Sequence, residues 1–214
     1  VSTDDGRIAR AARAAGARIV LRPAALAADT AGSEPALLHA LEAIDPDGRD
    51  YGILAFLQAT SPFIAAADLD AAIARVAAGE ADSVLAATPS HAFLWRLGPH
   101  GAVGVNHDET RRLRRQDAEP QYRETGAFYV LRTDGLRERG HRFVGRIGLQ
   151  LVDGAGALEI DDPADLELAE AIAPLVDARA GGTVTGGAVV TGAVATGAES
   201  GRERTAWSPS AAVR

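Results

Sequence analysis

Helical and strand-like spacings take turns along the first ninety residues. Residues 4–15 read as a helix, with Asp4 or Asp5 able to cap its start and Gly16 at the position past its end. The short apolar run at 17–21 follows as a buried strand. Ser33 stands as an N-cap before Pro35, and Leu37, Leu38, Leu41 and Ile44 then fall on one helical face. Residues 51–58 (YGILAFLQ) form an apolar run between polar loops, as a central parallel strand would. Asp68 to Ala78 is amphipathic through Leu69, Ile73 and Val76, and residues 82–88 give the next strand. Strands alternating with helices predict an α/β fold whose mostly parallel sheet carries helices on both faces.

The pattern changes after His91. Between there and Phe143 lie six of the ten aromatics, Phe93, Trp95, Tyr122, Phe128, Tyr129 and Phe143, together with the basic run RRLRR at 111–115. This stretch reads as an inserted arm with a partner-facing surface. Residues 142–152 return to strand. Asp162 and Pro163 then open a last helix with Leu166, Ala169, Ile172, Ala173 and Val176 along one stripe. The domain is expected to end near Arg179. Residues 180–214, rich in Gly, Ala, Thr and Val, bury too little to offset their ordering entropy and read as a disordered tail.

Composition narrows the function. The 214 residues carry a formal net charge of −7, and all 22 cations are Arg. An acidic balance argues against nucleic acid as the main partner, because phosphate backbones demand a cationic surplus. No apolar run has the length of a membrane span. Zero Cys removes disulfides, thiol nucleophiles and thiolate metal sites, and fits a reducing cytoplasm. The five His show no metal-ligand spacing.

Three polar segments leave strand ends, where α/β sheets present their chemistry: residues 21–33, 57–62 and 159–166. With their neighbours they form an ordered series. VSTDD (1–5), RPAALAADTA (22–31), LQATSP (57–62), RRQ (114–116), ETGAFYV (124–130) and EIDDPADL (159–166) together resemble the acylneuraminate cytidylyltransferases, or CMP-sialic acid synthetases, over residues 1–178. The resemblance implies a Rossmann-like nucleotide-sugar transferase fold with a small dimerisation arm at about 91–143. It implies transfer of CMP from CTP to a sialic acid or similar nine-carbon 2-keto acid sugar, with Mg²⁺ and release of pyrophosphate, in a cytoplasmic homodimer.

Carried over residue by residue, the resemblance gives Asp161 and Glu159 as metal ligands. Arg22 and Ser33 would lie along the nucleotide. Gln58, Arg115, Arg123, Thr125 and Tyr129 would line the sugar pocket, with Asp161 and Arg115 acting in catalysis. The residue types suit the task. Mg²⁺ takes hard oxygens, Arg grips carboxylates and phosphates bidentately, and an amide both donates and accepts to a polyol. Asp165 reads as a first-turn helix acid.

Two departures stand out. Thr125 occupies a position where relatives often carry Asn, which bears on the acyl group preferred. The family also opens with a strand and a loop of the kind A-R-x-x-S-K-x-x-x-x-K, for which a chain without Lys has no match. The chain is therefore expected to lack an N-terminal unit of roughly 30 residues. Two other readings follow: a catalytically impaired remnant acting as a dimerising or sugar-binding module, and a related enzyme for legionaminate, pseudaminate or KDO.

Overall fold

The computed structural model describes residues 1–179 and 193–196. Its elements run β1 (Ser2–Thr3), α1 (Gly6–Ala14), β2 (Val20–Leu21), α2 (Ser33–Ile44), β3 (Ile53–Leu57), α3 (Ala66–Ala77), β4 (Ser83–Ser90), β5 (Trp95–Gly98), β6 (Gly101–Gly104), β7 (Gln121–Arg132), α4 (Thr133–Arg139), β8 (Ile147–Leu151), α5 (Pro163–Arg179) and β9 (Ala193–Thr196). Short 3₁₀ turns lie at Ala24–Leu26 and Arg115–Asp117. The tail at 180–214 lies outside the described residues except for β9, which pairs antiparallel with β3.

The central sheet runs in the order β8-β4-β7-β3-β9. It is mixed, which corrects the expectation of a mostly parallel sheet. β4 and β8 run parallel, whereas β7 lies antiparallel to both β3 and β4. The cause is the chain's path after β4: it leaves the sheet, forms the β5–β6 hairpin and returns as one long strand between β3 and β4. A hydrophobic run does not encode its direction. β1 and β2 form a separate parallel pair.

Helices cover both faces, as the alternation implied. On one face Ala72 and Val76 of α3 pack against Ala55, Val84, Ala86, Phe128 and Val130. On the other, Leu37 and Leu41 of α2 and Leu136 of α4 meet Leu54, Leu85, Tyr129 and Leu131. Successive residues of β3 and β7 thus point to opposite faces, the period of two that a pleated strand imposes. Residues 91–143 divide accordingly. The β5–β6 hairpin stands out with Leu97 91% exposed, while residues 125–131 are core.

The helix starts differ in one instructive way. Asp5 caps α1 as expected, its side chain accepting from the N–H groups of Arg7 and Ile8. At α2 the N-cap is Gly32, which makes no side-chain bond, and Ser33 is the first helical residue. The Ser33 hydroxyl is therefore not spent as a cap.

Candidate active site

A register shift in β7 organises the site. Leu85 of β4 pairs with Tyr129, but Ala87 pairs with Glu124, so the residues between form a bulge opposite Ala86. Gly126 supplies the left-handed backbone at its apex, φ +67°. Thr125 braces the bulge from inside. Its side chain is fully buried, its hydroxyl donates to the Ala86 carbonyl at 3.3 Å, and it accepts from the Ala127 N–H at 3.4 Å. Thr125 thus turns into the protein instead of presenting its hydroxyl to a sugar.

Three segments meet at this bulge. The Gln58 N–H, at the end of β3, donates to the Ala127 carbonyl at 3.1 Å. A Cβ on Gly126 would overlap Glu159 Oε1 and come within 3.0 Å of Gln58 Oε1, so only glycine lets both side chains close over the strand. The segment before α5 is tied in by the Ile160 N–H, which donates to the Thr60 carbonyl at 2.8 Å. Arg123 donates from Nη2 to the Ala157 carbonyl at 3.4 Å.

The carboxylates here are crowded. Burial pushes the Glu159 carboxyl up from its ordinary range, Asp161 and Glu124 push it further, and Arg123 opposes them. Asp162 and Asp165 are occupied otherwise. Asp162 Oδ1 accepts from the Ala164 and Asp165 N–H groups, and Asp165 Oδ2 accepts from those of Asp161 and Asp162. This reciprocal cap starts α5 and leaves the Asp161 carboxylate exposed, in agreement with reading Asp165 as a helix acid.

The bulge also shortens the path along β7, and the buried Tyr129 donates its hydroxyl to Glu124. Burial, then the hydrogen bond to Glu124, pushes the Tyr129 phenol well above its ordinary value.

A cavity of about 370 Å³ opens between the β1–β2 pair, one face of α2 from Ser33 to Ile44, and the end of β3. Arg22, Ser33, Phe56 and Leu57 are among its walls. Arg22 spends Nε on Ser2 Oγ at 3.1 Å and Nη2 on the Ser2 carbonyl at 2.6 Å. Arg115 stands apart from both places, exposed on the 3₁₀ turn Arg115–Asp117 and without an ion pair among the described residues.

Gln58, Arg123, Glu159, Asp161 and Tyr129 are thus brought to one region, with Arg22 and Ser33 beside it. Sequence reasoning passed over Gly126 and Glu124, although a glycine in an otherwise apolar strand pattern marks a bulge.

Comparison with known proteins decides the family. The family model described as Cytidylyltransferase matches residues 1–176. The chain belongs to the cytidylyltransferase family. It is 28% identical over 174 residues to N-acylneuraminate cytidylyltransferase A of Danio rerio, covering 79% of this chain and 39% of that protein. The chain therefore spans well under half the length of that relative. Against the cytidylyltransferase assignment, the bulge carboxylates can be judged as a metal site. Among the described residues no group of three or more His, Asp or Glu side chains forms a cage. Glu159 and Asp161 are nonetheless a fitting pair: two hard oxygen donors, with the Asp161 charge close enough to add to the rise of the Glu159 carboxyl. Mg²⁺ commonly uses one or two carboxylates and completes its shell with phosphate and water. Among the described residues no helix is long and apolar enough to cross a membrane.

Proposed function

We propose that the chain transfers CMP from CTP to sialic acid or a similar nine-carbon 2-keto acid sugar and releases pyrophosphate. What supports this most is the gathering of Gln58, Arg123, Glu159 and Asp161 around the Gly126 bulge in a cytidylyltransferase. The sugar's anomeric oxygen attacks the α-phosphorus and loses its proton, while the bond from that phosphorus to the bridging oxygen breaks. Gln58 offers an amide to the sugar hydroxyls, and Arg123 offers a cation to its carboxylate. Tyr129 is buried, and its hydroxyl bond to Glu124 supports the bulge from beneath. Arg22 and Ser33, beside the open first turn of α2, suit the nucleotide's anionic oxygens.

Glu159 and Asp161 would hold Mg²⁺, which supplies charge stabilisation for the departing pyrophosphate. Between their two carboxylates and a bound ion lies a simple energetic fit, because burial and then the Asp161 charge raise the Glu159 pKa, and a cation would relieve the repulsion.

Arg115 finds its role in a homodimer. Leu94, Trp95, Leu97 and Val105 around the β5–β6 hairpin are exposed apolar side chains that a second copy would cover, bringing Arg115 toward the neighbour's sugar. Leu97→Asp is expected to shift the chain to monomer in analytical ultracentrifugation.

The decisive assay is pyrophosphate release from CTP with Mg²⁺ and N-acetylneuraminic acid, with KDO as the competing acceptor. Asp161→Ala should lower the rate about a hundredfold, the loss of a transition-state charge partner. An unchanged rate would remove Asp161 from the reaction, and a preference for KDO would redirect the acceptor.

A further inference from the structure

Two residues outside every motif link the first turn of α2 to the aromatic pair on β3 and β7. Glu34 lies in the first turn of α2, next to Ser33, and Arg142 lies in the loop between α4 and β8. Arg142 Nε donates to Glu34 Oε1 at 2.8 Å, and their side chains are only 13% and 18% exposed. The Arg142 charge holds the Glu34 carboxyl below its ordinary range.

The guanidinium is also stacked. Its central carbon lies 4.5 Å from the Tyr129 ring centroid and 5.2 Å from that of Phe56. Those two rings are cross-strand neighbours in β3 and β7, nearly parallel with centroids 5.8 Å apart. Phe143, the next residue after Arg142, meets Tyr129 edge-on at 5.9 Å. A planar cation over ring faces is attracted by their quadrupoles, and Arg does this while its Nε–H remains free for a carboxylate. The ring of Tyr129 is thereby enclosed, and its hydroxyl is committed to Glu124.

We propose that Arg142, anchored by Glu34, is a positioning residue that fixes the buried Tyr129 ring beneath the bulge and ties that strand to the first turn of α2. The inference rests on the sugar-acid reading given above. Arg142 itself acts through Tyr129. Without its charge, the ring loses the cation on its face, and Glu34 is left as a partly buried carboxylate with no partner.

The test uses the full chain and its Arg142→Met, Glu34→Gln and double variants, because Met keeps length without charge. KM is measured separately for N-acetylneuraminic acid and CTP in pyrophosphate release. Arg142→Met should raise the sugar KM about tenfold, a loss of one stacking and one ionic contact, and change the CTP KM less than about twofold. Glu34→Gln should do the same more weakly, and the double variant should be no worse than Arg142→Met. A substrate-free readout accompanies the kinetics. The near-UV circular dichroism that disappears in Tyr129→Phe should fall by roughly half or more in Arg142→Met, because an unfixed ring loses its asymmetric surroundings. An unchanged Tyr129 signal overturns the proposal, as does an equal rise in both KM values or an additive double variant. A wild-type chain that transfers CMP to no sugar acid sinks the functional reading instead, and the dichroism alone then judges the positioning.

Discussion

The Gly126 bulge and the cavity beside α2 are built to different standards. At the bulge, β7 lies between β3 and β4, braced from within by Thr125 and closed from outside by Gln58 and Glu159. At the cavity, the wall is a pair of two-residue strands, held by backbone bonds and by the Arg22 fork on Ser2. Fixed geometry is concentrated at the bulge, where the proposed sugar pocket lies. The thinner wall borders a cavity and contributes one guanidinium and the open end of a helix. Rigid sites lose rate when displaced by an ångström.

The sharpest way to break this contrast is Gly126→Ala. The left-handed backbone and the overlap with Glu159 both oppose a Cβ. Glu159 and Gln58 must back away together, and CMP transfer should fall about a hundredfold, the usual penalty for misplacing reacting groups by an ångström. CTP affinity, measured by calorimetry, should stay within about threefold, because Arg22 and Ser33 are untouched. A parallel loss of CTP affinity would show that the two sides are one unit.

Arg22→Ala probes the thinner wall. It should raise the CTP KM about tenfold, as expected for one charge-assisted contact, and leave the sugar KM unchanged. The same substitution frees Ser2, so amide exchange should quicken in β1 and β2 and stay slow in β7. Equal quickening in β7 would contradict a difference in rigidity.

The same asymmetry explains what was legible in the sequence. Local patterns carried well: the two faces of β3, the apolar face of α2 and the Asp5 cap all follow from spacing alone. Gln58, Glu159 and Asp161 stand out in the sequence because each sits just beyond an element end. Long-range facts were hidden. Glu34 and Arg142 are 108 residues apart, and nothing in either neighbourhood announces the other. The direction of β7 was invisible for the same reason, since a strand reads alike both ways. Aromatic content misled at 91–143, because Phe128 and Tyr129 in a core and Trp95 on a surface have the same composition signal. The inward turn of Thr125 is not visible in its motif, because a bulge can turn a residue inward without changing its neighbours in sequence.

The smallest effect concerns charge within the rigid side. Glu159 has a raised carboxyl pKa in the folded protein, through burial and then through Asp161. A carboxyl raised above its unfolded value binds more protons when folded, so stability falls as pH rises through the folded pKa. The penalty is present at neutral pH and disappears below the unfolded pKa, about 4.3 for Glu. Glu159→Gln removes the charge and should raise the metal-free Tm at pH 7 by about 1–2 °C, a small gain because solvent still screens the pair. At pH 4 the variant and wild type should melt together. Added Mg²⁺ should stabilise wild type more than the variant, reversing their order, because the ion turns the crowding of Glu159 and Asp161 from a cost into a binding site. A wild-type protein that gained nothing from Mg²⁺ at pH 7 would separate the carboxylate crowding from metal binding.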